Sequence, residues 1–453
     1  MTECISQLRL GFHPTVPVTV GFDAPQISSD GGVLLLRQTD DRLGLSEWFA
    51  RFVPDERDPA KVKHERREQV RQRLYQIALG YEDCNDADRL RPDPLLKSVC
   101  DRTPTDAGLS SQPTLSRLEN AIEGRTLRAI LQRLEEHYLQ SLPAVTEVII
   151  LDIDTTDDPT HGQQQLSFFH GYYDQHMYHP LLIFDGESGQ LVTAVLRPGN
   201  THAARGALGV LRRIIRMLKQ RFPAVQIVVR GDSGFAVPRL LELLEALDRE
   251  VGGVAYLFGL AQNPVLLRRG TAALATAHDR FGRTQQAVQH FDTFPYAAES
   301  WPHERCVVMK AEVNEHGQNP RFVVTSLEGF APEVLYHAYC QRGQCENFIK
   351  DFKNAVQADR LSCSTFAANF FRLLEHAAAY VLLHALRTHV APYAPTLGTA
   401  QFETLRLRLL KVAALVTHST RRLLVRFPQA FPLAALFRTL AATLAPPPVL
   451  SSA

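Results

Sequence analysis

Two apolar runs in this sequence end in aspartate. TEVIILDIDTT places Asp152 and Asp154 at its close, and AVQIVVRGDSGF ends at Asp232. Both runs are rich in β-branched residues and are closed by turn formers, the pattern of buried strands. A carboxylate at the end of a buried strand is costly unless something offsets its charge, and a divalent cation does so well. A third segment, YCQRGQCENFIKDFKN, carries Tyr339, Arg342, Glu346 and Lys353 at steps of three, four and seven residues. On one continuous α-helix those steps return to the same side, so the spacing predicts a single face bearing one carboxylate, a phenol and two cations. Three carboxylates drawn from two strands and a helix suit two-metal phosphodiester chemistry, one ion activating the attacking oxygen and the other steadying the leaving oxygen. Two plainer readings stand beside this one. The stripe can be the solvent face of an amphipathic helix, and the aspartates can simply begin turns in TDDP and GDSG.

The elements that would position these residues can be read along the chain. The 453 residues exceed one simple core, so two or three domains are expected. Apolar content of 45% and charged content of 21% are those of a soluble globular protein. No apolar run reaches bilayer length, which speaks against a membrane protein. The start, MTECISQLRLGFHP, lacks the basic stretch, apolar core and cleavage site of a signal peptide, so a cytoplasmic location is expected. Seven cysteines are scattered with no CxxC pair, which argues for free thiols rather than a disulfide framework or zinc finger. A net charge of +1 hides local patches.

Residues 60–80, AKVKHERREQVRQRLYQIALG, have the spacing of a basic amphipathic helix, and helices are also expected at QPTLSRLENAIEG and RTLRAILQRLEEHYLQSL. The first 145 residues therefore read as mainly helical. Beyond them come the Asp154 strand, a hairpin in YHPLLIFDGESGQLVTAVLRPGN, the helix ALGVLRRIIRMLKQRF and the Asp232 strand. A β-rich stretch then separates VAYLFGLA from the third segment, with strands expected in ERCVVMKAEV and PRFVVTSL. TFAANFFRLLEHAAAYVLLHALRTHV reads as a long buried helix, and the region from 391 to 453 as a basic tail with Arg406, Arg408, Lys411, Arg421, Arg422 and Arg426. No internal repeat is present, and APPPVLSSA is the only low-complexity run.

In combination these segments resemble the DDE-type transposases of bacterial insertion sequences, the group with a Tyr-Arg-Glu-Lys signature (transposase DDE domain group 1). Tyr339, Arg342, Glu346 and Lys353 match that signature in full, Asp154 matches in DTT, and Asp232 in GDSGF. SSDGGVLLLRQTD, GYEDCNDADRLRPDP and LRPGNTHAARG extend the likeness over most of the chain. The resemblance implies an α/β protein: an RNase H-like catalytic core at 146–252 and 331–390, split by a β-rich insertion at 253–330. A helical DNA-binding region at 1–145 and the basic C-terminal region at 391–453 would flank it. Asp154, Asp232 and Glu346 would be catalytic metal ligands for Mg²⁺, with Mn²⁺ as a substitute, and Tyr339, Arg342 and Lys353 would hold DNA phosphates. Asp152 lies two residues before Asp154 and so faces the same side of the strand, but only Asp154 precedes the Thr-Thr of the family motif. Implied partners are double-stranded DNA, as terminal inverted repeats and as target, and a second copy of the chain in the DNA complex. The setting would be the nucleoid, with no membrane contact. Helix 60–80 and Arg117 would recognise the ends, and Trp301 in the insertion would stack on a base near the cut.

Rival readings are weaker. His161, His170, His176 and His179 suggest zinc only faintly without an HExxH motif, and read better as surface or loop histidines. DCNDAD has Asp88 where a calcium loop needs glycine. Ser233 lacks the GxSxG setting of a hydrolase nucleophile. Two functional alternatives remain: a two-metal nuclease without strand transfer, and an inactive DNA-binding derivative.

Overall fold

The computed structural model describes residues 8–10, 12, 15–16 and 18–445. Much of MTECISQLRLGFHP, Cys4 included, and all of APPPVLSSA beyond Ala445 lie outside the described residues. The fold is mixed α/β, and the chain divides into two compact units, Met1–Leu118 with Leu382–Ala453, and Glu119–Val381.

The Glu119–Val381 unit is built on a nine-stranded mixed sheet. Its strand Val148–Thr155 pairs in parallel with Gln226–Gly231 and antiparallel with Leu181–Asp185. Gln226–Gly231 pairs in parallel with Val254–Leu260. Side chains alternate across the pleat. Ile149, Leu151 and Ile153 face a core completed by Leu211, Ile214 and Leu218 of helix Ala207–Arg221 and Leu240, Leu241 and Leu244 of helix Pro238–Val251. Asp152 and Asp154 occupy the opposite face. That side is packed by aromatic rings: Phe184 lies 5.7 Å from both Phe348 and Tyr380, and Phe352 lies 5.8 Å from Tyr380.

Asp152 is fully buried and forms a two-pronged ion pair with Arg230, its registered cross-strand neighbour, at 2.7 and 2.8 Å. Nη1 of Arg230 donates to the Ala338 carbonyl at 2.7 Å. A methyl group at Gly186 would meet both charged groups at under 3 Å, so any larger residue there would have to push the pair aside. Burial pushes the Asp152 carboxyl up, and the Arg230 guanidinium pulls it back.

The expected insertion is continuous with this sheet. Val254–Leu260, Arg321–Thr325, Arg305–Asn314 and Val288–Tyr296 extend it in that order. The division between the two units falls between Leu118 and Glu119, and helix Gly124–Ser141 packs on the sheet. Tyr138 donates to Asp185 at 2.6 Å, while Glu135 accepts from Thr193 at 2.9 Å and from Arg213 at 2.7 and 2.6 Å. The other division falls inside helix Phe366–Val390. No described helix is long and apolar enough to cross a membrane.

In the Met1–Leu118 and Leu382–Ala453 unit, strands Ala414–Ser419 and Arg422–Arg426 form an antiparallel hairpin joined by Ile27–Ser28. The SSDGG segment ties the two chain parts: Gly31 and Gly32 donate to Val412 and Leu410 carbonyls, and Asp30 pairs with Lys411 at 2.7 Å. The basic helix expected at 60–80 is Arg66–Ala78, and from Gln69 onward it is buried on every side. Arg71 meets Asp101 at 2.5 Å and Ser46 at 3.2 Å, while Arg66 and Arg67 face Asp55 and Glu47. Arg66, Arg67 and Arg71 thus pair with carboxylates from other segments, and Arg73 donates to the Glu82 carbonyl at 2.6 Å.

Losing one partner of a buried pair leaves the other charge uncompensated, at a cost of about 3–5 kcal/mol. Asp152→Ala and Arg230→Ala are each expected to lower the melting midpoint by roughly 5–15 °C. Calorimetry that finds either single variant as stable as the parent would remove this pair from its structural role.

Candidate active site

Parallel pairing sets the two strand-end acids side by side. The last registered pair is Ile153 with Gly231, so Asp154 and Asp232 follow one step beyond on neighbouring strands, where backbones run about 4.8 Å apart. Asp154 accepts the Thr155 N–H at 2.8 Å. Asp232 is half-buried and caps the short turn Ser233–Phe235, accepting the Gly234 N–H at 3.0 Å.

The third segment is not one helix. Pro332–Cys340 ends at Gln341 and Arg342, Gly343–Lys350 follows, and Asp351–Ala355 forms a π-helical turn. The first joint stays near helical angles, so Tyr339, Arg342 and Glu346 keep to one side. Arg342 donates to Asp154 at 2.8 Å and reaches to 4.0 Å from Glu346. The Tyr339 hydroxyl lies against Gly259, where any larger residue would overlap it, close to the backbone of Ser233. The wider π turn breaks the seven-residue step and swings Lys353 away. Lys353 binds the Asp157 carboxylate at 2.8 Å and its carbonyl at 3.0 Å, with Asp359 at 3.8 Å. Asp154, Asp232, Tyr339, Arg342 and Glu346 therefore come together, and Lys353 does not join them.

Burial pushes the Asp154 carboxyl up to about 6, against the pull of Arg342 and the Thr155 N–H, and the neighbouring Asp232 adds to the rise. For Arg342, burial is outweighed by Asp154, Tyr339 and Asp232, which hold its guanidinium firmly charged. Burial also raises the Tyr339 phenol. Glu346 is the exposed member, its side chain 63% accessible, joined to Asp154 only through Arg342. Among the described residues no three carboxylate, imidazole or thiol groups converge closely enough to hold a metal ion. Arg342 supplies the positive charge between Asp154 and Glu346 instead.

The sequence profile described as transposase DDE domain group 1 matches residues 12–448. The chain belongs to that family. No curated protein matches it. Among solved structures it is similar to a piggyBac transposase in a cryo-EM synaptic complex with hairpin DNA. Identity is 11% and the TM-score 0.44, over 93% of this chain and 87% of that one.

Within this family member the neighbouring residues explain other motifs. In LRPGNTHAARG, Arg197 is buried and donates to the carbonyls of His179, Ala203 and Arg205, so it shapes a loop. His179, expected at the surface or in a loop, lies in the loop just after strand Gln175–Tyr178 but is buried, and its Nδ1 bonds the Thr201 carbonyl at 2.7 Å. Trp301 is 8% exposed, edge-on to Tyr296 at 5.4 Å and under the Arg305 guanidinium at 5.0 Å. It belongs to the core, which argues against base stacking. The sequence reading missed Asp157, Asp158 and Asp359. Asp158 is 1% exposed, and neither of its oxygens meets a donor among the described residues. Burial and the nearby Asp359 push its carboxyl well up. TDDP was legible only as a turn, since its partners Lys353 and Asp359 lie about two hundred residues away.

The raised Asp154 carboxyl gives a signed pH dependence. Its usual value of 3.8 becomes about 6 in the fold. The protonated form is thus favoured by folding, and its contribution, complete below the unfolded value, is lost as pH rises through about 6. Without divalent ions, Asp154→Asn should match the parent near pH 4 and exceed it at pH 8 by on the order of 2–3 kcal/mol. Denaturant titrations at the two pH values decide; an equal gap at both would place the titration elsewhere.

Proposed function

We propose that this chain is a DNA transposase that cleaves the terminal inverted repeats of its own mobile element with water and joins the freed 3′-hydroxyl ends to target DNA. The observation that carries the reading is Asp154 and Asp232 side by side at parallel strand ends, with Arg342 between Asp154 and Glu346. Family membership supports it. On this reading Glu119–Val381 contains an RNase H-like core interrupted by the β-rich residues 253–330. The helical residues before 145 and the basic residues after 390 contribute DNA contacts.

Asp154, Asp232 and Glu346 are the proposed metal ligands. Their hard oxygen donors are of the kind Mg²⁺ takes, with Mn²⁺ as a substitute, and the raised Asp154 favours a cation there, while Glu346 stands apart and would have to move in from its contact with Arg342 to complete the set. A bound divalent ion would supply activation of the attacking oxygen and stabilisation of charge on the leaving oxygen. Arg342 offers a planar fork of donors, suited to a phosphate beside the acids, and Tyr339 adds a hydroxyl donor. Lys353 acts from its own position beside Asp157 as a point charge for a neighbouring phosphate. Such contacts fix register on the duplex rather than read its sequence. The working form is a homodimer on DNA, in the cytoplasm at the nucleoid.

Purified full-length protein, Mg²⁺ and a duplex carrying the flanking ends of its own gene test this reading. The parent should cut at the ends and yield joined products. Asp154→Ala, Asp232→Ala and Glu346→Ala should each abolish detectable cleavage, while end binding stays within about threefold, because affinity comes mainly from cations meeting phosphates. Near-normal cutting by one variant would remove that residue from the site. Cutting without joined products would make the protein a nuclease, and binding without cutting an inactive derivative.

A further inference from the structure

Of His161, His170, His176 and His179, the fold brings two together. Strand Phe168–His170 pairs antiparallel with Gln175–Tyr178, with Phe168 opposite Met177. His170, two residues past Phe168, and His179, two past Met177, therefore fall on one face of the ribbon. His176 lies on the other, edge-on to Phe169 at 5.7 Å. The His170 and His179 rings stand 4.9 Å apart, centre to centre, inclined at 70°. Tyr173 flanks both, at 5.1 Å from His170 and 5.9 Å from His179. A carbonyl only accepts, so the bond from His179 Nδ1 to the Thr201 carbonyl places the ring proton on Nδ1. Burial holds this imidazole down to about 4, so near neutrality it is uncharged and its Nε2 carries a bare lone pair. His179 is 3% exposed, and that nitrogen meets no donor among the described residues. Nδ1 of His170 is likewise buried and unmet. Two ring nitrogens left so are costly unless something binds them.

We propose that His170 and His179 together take up a zinc ion, through Nδ1 of the first and Nε2 of the second. A backbone carbonyl on the far nitrogen is the contact that orients metal-bound imidazoles, and Thr201 supplies it for His179. Two imidazoles on one tetrahedral zinc, each at about 2.0–2.1 Å, have ring centres about 5 Å apart. Mg²⁺ prefers oxygen and does not compete for such a pair. With two protein ligands instead of the three or four of tighter sites, water completes the coordination and the ion exchanges. Its role is mechanical. His179 is tied through Thr201 to the loop whose Ala203 and Arg205 carbonyls bind Arg197, and Ala203 lies against Gly234, two residues after Asp232. The ion would brace the hairpin against the loop beside the second acid. The proposal goes beyond the transposase reading and does not need it.

Zinc alone is the probe, titrated into the metal-free full-length protein without DNA and in excess Mg²⁺, which occupies oxygen sites and leaves imidazoles free. Equilibrium dialysis and the melting midpoint are the two readouts, because an ion that binds only the folded chain raises the midpoint. The parent should hold about one zinc per chain and melt higher with it. His170→Ala and His179→Gln should each weaken binding at least about tenfold and lose the zinc-dependent rise, whereas His176→Ala and Asp154→Ala should keep both. A parent that takes no zinc in the presence of Mg²⁺ overturns the proposal, as does unchanged binding in His170→Ala. Binding lost in Asp154→Ala but kept in His170→Ala would place the ion at the acids and overturns it as well. Should His179→Gln fail to fold, His170→Ala decides alone, since that ring is only half-buried.

Discussion

The site depends on one buried charge pair. Arg230 and Asp152 are opposite each other on adjacent parallel strands, and their two-pronged contact is satisfied only in that register. A slip of one residue would turn every side chain of the strand to the other face. The same guanidinium holds the Ala338 carbonyl, one residue before Tyr339. A single side chain thus sets the alignment of the two acid-bearing strands and the approach of the helix that brings Tyr339 and Arg342. Buried ion pairs add little net stability relative to a well-packed apolar substitute, because desolvation consumes the Coulomb gain. Here the contribution is positional: Asp152 is consumed by the fold, and Asp154, two residues on, is left facing Arg342 and Asp232.

The balance of charge at Asp154 follows from that placement. Arg342 pulls its carboxyl down, yet burial and the neighbouring Asp232 prevail and leave it near 6. One guanidinium therefore does not offset the site, because it is shared with Glu346 and because two carboxylates at adjacent strand ends repel. Such a placement favours the uptake of a proton as pH falls through about 6. Arg342, released from Asp154, would have its full donor set free for phosphate.

Much of this was legible along the chain, and the failures share a cause. The β-branched runs ending in acids announced the two strands, because strand burial and turn chemistry are local properties. Tyr339, Arg342 and Glu346 kept their predicted side because the joint at Gln341 and Arg342 stays close to helical geometry. Lys353 left it because a π turn changes the residues per revolution, and nothing in NFIKDFKN signals that turn. Helix Arg66–Ala78 looked like a solvent-facing basic element because its partners, Asp40, Asp55 and Asp101, are distant in sequence. Trp301 followed the same rule: a lone tryptophan does not reveal whether Tyr296 and Arg305 will enclose it. Local pattern specifies elements, while the partners that neutralise or bury a side chain are set by topology.

Topology also explains why the surroundings of Asp154 are so dense in polar contacts. The strand that carries it does not end in a loose loop. Within three residues Asp157 takes Lys353, and Asp158–Pro159 then pairs into the small sheet of Phe168–His170 and Gln175–Tyr178. Asp154, the Asp157–Lys353 pair and the small sheet are therefore linked through a short stretch of hydrogen-bonded backbone. Their separations depend on strand geometry more than on long-range packing. The buried Asp158, with neither oxygen partnered among the described residues, marks how tightly this stretch is folded. Its desolvation is tolerated because burial favours the neutral carboxylic acid, which leaves no second uncompensated charge beneath the hairpin.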